Sequence, residues 1–253
     1  GRNRMQLSNP IAVGNTADIY LWNNRIIKVF KEYLPSTEAR YEANKQKLVF
    51  SLGLSVPEIV DVTVIDGKQA IIMEYIKGRT FGSIVSENMS KAEYYMSMSI
   101  DVQQEIHSVI ADSLEPMVDK LKRQIEQAAV LKRKHKDILI LKMDAMSYEK
   151  RLCHGDFHLF NLIDSDKKVT IIDWVDSSLG DIRADVCRTF LLYSEISMEL
   201  AEMYVHLYCA KSGLSEKEVM QWIPIIAGAR LAEHVSQEKS NYLLEIVHQH
   251  CPL

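Results

Sequence analysis

The chain has few cysteines and no long apolar segment. Its four cysteines, Cys153, Cys187, Cys209 and Cys251, lie far apart among 253 residues and form no C-x-x-C pair. This spacing gives no basis for a disulfide framework or a cysteine-based metal site, so we expect reduced thiols. No apolar run approaches the roughly 18 residues that span a bilayer. The polar start of the chain, G-R-N-R-M, has no apolar segment behind it, so we expect no signal peptide, no membrane association and a cytoplasmic location.

A strong excess of one charge is also missing. The formal net charge is -4, with 47% hydrophobic and 25% charged residues, as in ordinary soluble proteins. We therefore expect no nucleic acid partner. A chain of this length can bury a sizeable core, in one large domain or in two lobes.

Glycine is scarce where a phosphate-binding loop would need it. Gly14 is the single glycine in the strand, turn and strand predicted over residues 11–22, and the pattern G-x-G-x-x-G is absent. The segments D-F-G and A-P-E, which frame the peptide-binding loop of protein kinases, are absent too. Their absence counts against phosphorylation of peptides.

The most informative stretch is H-G-D-F-H-L-F-N, residues 154–161. Asp156 and Asn161 are five residues apart, and Asp173 follows at the end of a β-branched run. A hairpin over residues 161–174 would bring Asn161 and Asp173 close together. A carboxylate that accepts a hydroxyl proton, with an amide and a second carboxylate that hold Mg²⁺, forms a phosphoryl-transfer set.

Two residues upstream fit the same chemistry. Lys28 lies in the β-branched strand predicted at residues 25–31, and Glu42 lies fourteen residues later on the helix predicted over residues 36–50. A strand lysine often points to solvent, and a helix glutamate is often a surface acid. Together with Asp156, however, they match the ion pair that holds a kinase lysine against nucleotide phosphates.

A transition-metal site is the alternative interpretation of the histidines. His154, Asp156 and His158 alternate, so an extended backbone would project all three to one face. That interpretation leaves Asn161 and Lys28 without a role.

The strand-rich pattern changes to long helical patterns near residue 80. Asp66-Gly67 predicts a hairpin turn before the last strand, and Ser90-x-x-Glu93 predicts a capping box at the start of a long helix. We therefore predict a nucleotide-binding lobe over residues 1–76 and a catalytic and acceptor-binding lobe over residues 77–253. The extended backbone between Glu74 and Ile76 could offer a carbonyl and an N–H to an adenine edge.

These segments resemble the aminoglycoside phosphotransferase and choline-kinase-like family of small-molecule kinases. The resemblance is carried by residues 154–163 and 172–174, by G-D-x-x-x-D at residues 180–185, and by M-E-Y-I-K-G at residues 73–78. It implies an α+β, two-lobed, protein-kinase-like fold. The N-terminal lobe would be a small antiparallel sheet with one main helix, and the larger C-terminal lobe would be mostly helical.

The resemblance also implies roles for individual residues. Asp156 would be the catalytic base, and Asn161 and Asp173 the Mg²⁺ ligands. Lys28 would bind the α- and β-phosphates of ATP, with GTP as the alternative nucleotide, and Glu42 would hold Lys28. The backbone at Glu74 and Ile76 would contact adenine. Asp181 and Asp185 would brace the catalytic loop.

The first functional hypothesis is transfer of the γ-phosphoryl group to a hydroxyl of a small molecule. The alternative is a regulatory protein with a kinase fold, which binds nucleotide with little or no catalysis. The sequence identifies neither the acceptor, aminoglycoside-like, choline-like or another metabolite, nor a link to antibiotic resistance, nor the oligomeric state.

Overall fold

The computed structural model describes residues 5–252. The expectation of no signal peptide was drawn from residues 1–5, and most of these lie outside the described residues. The chain forms two compact units. The first contains the described residues up to Ile84 together with Phe160–Val175, and the second contains Val85–Leu159 and the described residues from Asp176 onward. These units are defined by contacts alone. The boundary predicted after residue 76, between a nucleotide-binding lobe and a catalytic and acceptor-binding lobe, therefore stays a prediction.

The first unit holds most of the strands. The strands of the chain are β1 (Ala12–Val13), β2 (Ala17–Trp22), β3 (Arg25–Phe30), β4 (Ile59–Ile65), β5 (Lys68–Glu74), β6 (Arg79–Thr80), β7 (Arg151–Cys153), β8 (Leu162–Ser165), β9 (Lys168–Ile171) and β10 (Ser178–Gly180). The first five form an antiparallel sheet in the order β1-β2-β3-β5-β4. β6, β8 and β9 form a second sheet of the same unit, and β7 pairs with β10 in the second unit.

Most of the helices belong to the second unit. The α-helices are α1 (Glu38–Ser51), α2 (Phe81–Glu87), α3 (Ala92–His107), α4 (Met117–Gln127), α5 (Arg133–Asp144), α6 (Ile182–Ser194), α7 (Met198–Ser212), α8 (Glu216–Met220), α9 (Ile223–Arg230) and α10 (Gln237–His250). None of the helices in the described part of the chain is long and apolar enough to cross a membrane.

The local sequence explains the sheet of the first unit. The predicted Asp66-Gly67 turn is confirmed: both residues have positive φ, 49° and 78°, as a two-residue hairpin with the strand twist requires. α1 buries Ala39 and Ala43 in a cluster with Phe30 and Ile71, which lie on β3 and β5. Small residues on the helix allow this close approach, and the packing fixes α1 beside the strand that carries Lys28.

One prediction about the helices was wrong. Ser90 does not cap α3; its N–H and hydroxyl both bond to Asn88 Oδ1, because Asn88 caps a short 3₁₀ turn at Met89–Lys91 that precedes the helix. The segment from Ser215 to His250 contains three helices, α8, α9 and α10. Pro224 lies in the first turn of α9, where its missing N–H removes no helical hydrogen bond.

Candidate active site

The predicted ion pair between Lys28 and Glu42 is present in the first unit. Lys28 Nζ lies 3.0 Å from Glu42 Oε1, and the two side chains are 12% and 4% exposed. Lys28 projects from β3 toward α1, so its strand position does not turn it to solvent. Burial lowers the pKa of Lys28, but the carboxylates of Glu42 and Asp173 outweigh burial and raise the pKa above its ordinary value. The ammonium therefore stays charged, as phosphate binding requires.

Asp173 joins this pair. Its Oδ1 lies 3.8 Å from Lys28 Nζ, while its side chain remains 47% exposed. The backbone of Asp173 is left-handed, with φ at 61°, an uncommon conformation for a residue with a Cβ atom. Its carboxylate thus combines a nearby cation with access to solvent.

Asn161 lies at the same end of the hairpin as Asp173. The hairpin pairs Leu162 with Ile171, and the Ile172 N–H donates to the Asn161 carbonyl oxygen at 2.9 Å. Asp173 follows directly. The hairpin predicted from the sequence is therefore present, although it begins after a 3₁₀ turn that ends at Asn161. An amide and a carboxylate, both hard oxygen donors, flank its open end, which fits the ligand preference of Mg²⁺.

The predicted adenine-contact residues follow the same sheet. Glu74 ends β5 and Ile76 lies two residues beyond it, and both are half-buried. The Glu74 N–H already donates to the Glu58 carbonyl oxygen at 2.9 Å. A nucleotide contact at Glu74 would therefore fall to its carbonyl oxygen.

Asp156 belongs to the second unit, where histidines flank it. Its N–H donates to His154 Nδ1 at 3.1 Å, and His158 Nε2 lies 3.5 Å from its Oδ1. His154 is fully buried, whereas the Asp156 side chain is 30% exposed. The bond from the Asp156 N–H occupies the lone pair that His154 would offer a metal, which counts against the transition-metal interpretation.

The electrostatics keep Asp156 ionised. Burial raises the pKa of the Asp156 carboxyl. The hydrogen bond and charge of His158, together with the charges of Arg188 and His154, lower this pKa by a larger amount, so it lies below its ordinary value. A base must be deprotonated at working pH, and Asp156 meets this condition.

One face of α6 holds the backbone of residues 154–157, the predicted catalytic loop. Asp185 accepts the N–H groups of His154 and Gly155 at 3.3 and 3.0 Å. Arg188 donates to the Gly155 carbonyl oxygen at 3.1 Å, and Thr189 donates to the Phe157 carbonyl oxygen at 2.8 Å. Residues 185, 188 and 189 share a helix face because they are three and four positions apart.

The sequence predicted the bracing role of Asp185 but missed Arg188 and Thr189. Arg188 also forms a bidentate ion pair with Glu233: Nη1 donates to Oε1 at 2.6 Å and Nη2 donates to Oε2 at 3.2 Å. A polar stripe at spacing 185, 188 and 189 on an otherwise apolar helix was the available signal.

Asp181 and His107 support the loop from farther away. Asp181 caps α6 through the Arg183 N–H and also accepts the Trp222 indole N–H at 2.8 Å. His107 Nε2 lies 2.7 Å from Asp185 Oδ2, as expected for a packed structural histidine. His107 and Asp185 also cluster with Cys153 within 4.8 Å. The short His107–Asp185 separation is that of a hydrogen bond, which favours a brace over a metal centre.

Curated proteins similar to the chain are much longer than it. Acyl-CoA dehydrogenase family member 11 of Pongo abelii is 29% identical over 182 residues, which cover 60% of this chain and 22% of that protein. The chain thus spans less than a quarter of that relative's length.

Solved structures show the fold more completely. A thermostable mutant of aminoglycoside phosphotransferase APH(4)-Ia, in complex with AMP-PNP and hygromycin B, matches with a TM-score of 0.74 and 13% identity, over 98% of this chain and 96% of that one. Amicoumacin kinase hAmiN, in complex with AMP-PNP, Ca²⁺ and Ami, matches with a TM-score of 0.66 and 13% identity, over 100% and 90%. The predicted protein-kinase-like fold, an antiparallel sheet lobe with one main helix and a larger, mostly helical lobe, is confirmed.

The sequence pattern of the phosphotransferase enzyme family (APH) matches residues 9–223, which is most of the chain. This match includes the Lys28–Glu42 pair, the catalytic loop and the loop-bracing face of α6. The chain belongs to the phosphotransferase enzyme family.

Proposed function

We propose that the protein transfers the γ-phosphoryl group of ATP to a hydroxyl of a small molecule. The observation that carries the proposal is the arrangement of Lys28, which lies 3.0 Å from Glu42 and 3.8 Å from Asp173. A buried, charged lysine beside a half-exposed carboxylate suits a nucleotide phosphate and its metal ion. Two structural relatives were solved with AMP-PNP, one of them with Ca²⁺, which supports ATP and a divalent cation here.

Each residue then has a defined task. The Lys28 ammonium binds the α- and β-phosphates, and Glu42 keeps it oriented. Asn161 and Asp173 would hold Mg²⁺, which would neutralise charge on the phosphates. Asp156 accepts the proton of the acceptor hydroxyl as its oxygen bonds to the γ-phosphorus, and the bond from that phosphorus to the β–γ bridging oxygen breaks to release ADP. Positioning and charge neutralisation supply most of the rate enhancement in such reactions.

The acidic residues around the loop do not favour a cationic acceptor. Asp176 lies 3.3 Å from Lys120, Asp181 is bonded to Arg183 at 2.7 Å, and Asp185 is bonded to His107. Asp176 and Asp181 are thus paired with cations inside the second unit, and Asp185 is buried against a hydrogen-bond partner, so the three offer little attraction to a free cation. We therefore propose an acceptor defined by a hydroxyl group and leave its charge to experiment.

The test is an ADP-release screen with ATP and Mg²⁺. The panel holds aminoglycosides, choline, amino alcohols, sugars and, because of the similarity to a protein named as an acyl-CoA dehydrogenase family member, hydroxyacyl thioesters. With the best acceptor, we expect Asp156→Asn to lower kcat by about 10²-fold or more, because a general base is lost. Asp166→Asn, in the exposed turn between β8 and β9, is the matched control and should keep wild-type activity.

Two results would contradict the proposal. One is full activity of Asp156→Asn with the true acceptor. The other is tight ATP binding with no turnover on any acceptor, which would favour the regulatory alternative.

A further inference from the structure

Besides Lys28 on β3, the first unit has a buried cation on α1, and the proposed reaction gives this second cation no role. Lys45 lies three residues after Glu42, and its residue is only 6% exposed. Its Nζ donates to the carbonyl oxygen of Val175 at 2.8 Å and lies 4.6 Å from the centre of the Tyr41 ring. Val175 is two residues beyond Asp173. α1 therefore reaches the Asp173 segment directly as well as through Glu42 and Lys28.

The segment that α1 reaches is conformationally unusual. Asp173 has a φ of 61°, which costs a residue with a side chain about 1 kcal/mol or more. Such conformations persist where surrounding contacts over-determine them. Here the Trp174 indole N–H donates to the Ile171 carbonyl oxygen at 3.0 Å, which ties the residue after Asp173 to the end of β9. Lys45 fixes the other side of Asp173 by holding the carbonyl of Val175.

A buried lysine is a costly choice for packing alone. Removing an ammonium from water costs several kcal/mol unless partners compensate it, and an apolar side chain of similar volume would pack without that cost. The partners of Lys45 include a backbone oxygen and an aromatic face, both of which suit a cation. The contact to Val175 is therefore better explained by a need to fix that backbone than by packing.

We infer that Lys45 is a positioning residue. It holds the turn that bears Asp173, and with it the metal-ligand carboxylate, at a fixed position relative to α1. This inference rests on the proposed function, because it takes Asp173 as a metal ligand. Glu42 and Lys45, less than one helical turn apart, thus tie both Lys28 and the Asp173 turn to one helix. Supporting groups of this kind usually change metal affinity by about 10- to 100-fold when removed.

The test measures metal binding and activity separately. Mn²⁺ binding in the presence of AMP-PNP is followed by electron paramagnetic resonance for wild type, Lys45→Met, Lys47→Met and Asp173→Asn. We expect Lys45→Met to weaken Mn²⁺ binding by about tenfold, to raise the Mg²⁺ concentration for half-maximal turnover by a similar factor, and to leave metal-free AMP-PNP binding nearly unchanged. Lys47→Met, on the exposed side of α1, should behave as wild type.

The outcomes separate the two proposals. Wild-type protein that binds no Mn²⁺ beyond that held by nucleotide overturns the proposed metal site and the inference with it. Wild-type binding that Asp173→Asn weakens but Lys45→Met leaves unchanged overturns the inference alone. If Lys45→Met does not fold, Lys45→Gln takes its place with the same expected loss and the same contrary result.

Discussion

Arg188 donates its Nε hydrogen to the carbonyl oxygen of Gly155 at 3.1 Å, one residue before the proposed base Asp156. The same guanidinium pairs with Glu233, and the two side chains are 15% and 28% exposed. Arg188→Met would leave Glu233 without this partner and free the loop carbonyl. Glu233 keeps Arg230 as a partner, so we expect a loss of about 2 kcal/mol in the free energy of unfolding and a fall in kcat of about tenfold or more, because a misplaced catalytic group is slow. Urea unfolding and steady-state kinetics check the two effects.

The control for Arg188 is an exposed arginine with a similar ion pair. Arg133 pairs with Glu126 at 2.7 Å, but its side chain is 58% exposed. Because solvent screens such pairs, Arg133→Met should change neither the thermal midpoint nor kcat appreciably. Wild-type kcat in Arg188→Met would show that the catalytic loop does not depend on α6 through this contact.

The pH dependence of the reaction should report on His158. Burial raises the pKa of Asp156, and His158 and Arg188 lower it by more. A base works in its deprotonated form, so activity should be lost only as the pH falls through this lowered pKa. His158→Gln removes the first of the lowering groups. We expect the acid limb of kcat/KM to move to higher pH.

A pH–rate profile with the best acceptor measures that limb. His206→Gln, at an exposed position on α7, is the control and should leave the profile unchanged. An acid limb at the same pH in wild type and His158→Gln would mean that His158 does not set the ionisation of Asp156.

The sequence predicts the part of the site that follows from local patterns. A lysine inside a β-branched strand and a glutamate on the next helix can meet because consecutive elements pack together, and Lys28 and Glu42 do. The hairpin over residues 161–174 sets Asn161 beside Ile172 by register alone. Arg188 and Lys45 could not be assigned in this way. Each acts on a backbone carbonyl more than 30 positions away, a contact that depends on tertiary packing.

Helix starts show the same limit on a smaller scale. The pattern S-x-x-E occurs at Ser90 and at Ser215, but only Ser215 forms a capping box, with Glu218, at the start of α8. At the first position Asn88 accepts the Ser90 N–H, which the Glu93 side chain would accept in a capping box, and caps a 3₁₀ turn instead. The pattern is therefore necessary for the box but does not decide between neighbouring cap residues.

This difference gives a stability prediction. Ser215→Ala should lower the free energy of unfolding by about 1 kcal/mol, the usual value of a serine cap. Ser90→Ala should cost clearly less, because Asn88 still accepts the Ser90 N–H. Urea unfolding of the two variants measures the difference, and an equal loss would mean that Ser90 also supports its helix.

Gly155 offers the most direct test of the catalytic loop's backbone. Its φ is 88°, and a Cβ atom there would lie 2.3 Å from the Asp176 carbonyl oxygen, a backbone atom that cannot move cheaply. Gly213, at the end of α7, has a φ of 78° but open space around the position of a Cβ atom. Gly213→Ala should therefore lower the free energy of unfolding by about 1 kcal/mol, the cost of the left-handed backbone alone, and leave kcat normal.

Gly155→Ala should lose more stability than this control and most of its activity, because the loop must shift beside Asp156. Thermal unfolding and kcat, measured on both variants, separate clash from strain. Equal losses in the two would mean that the loop has room to adjust.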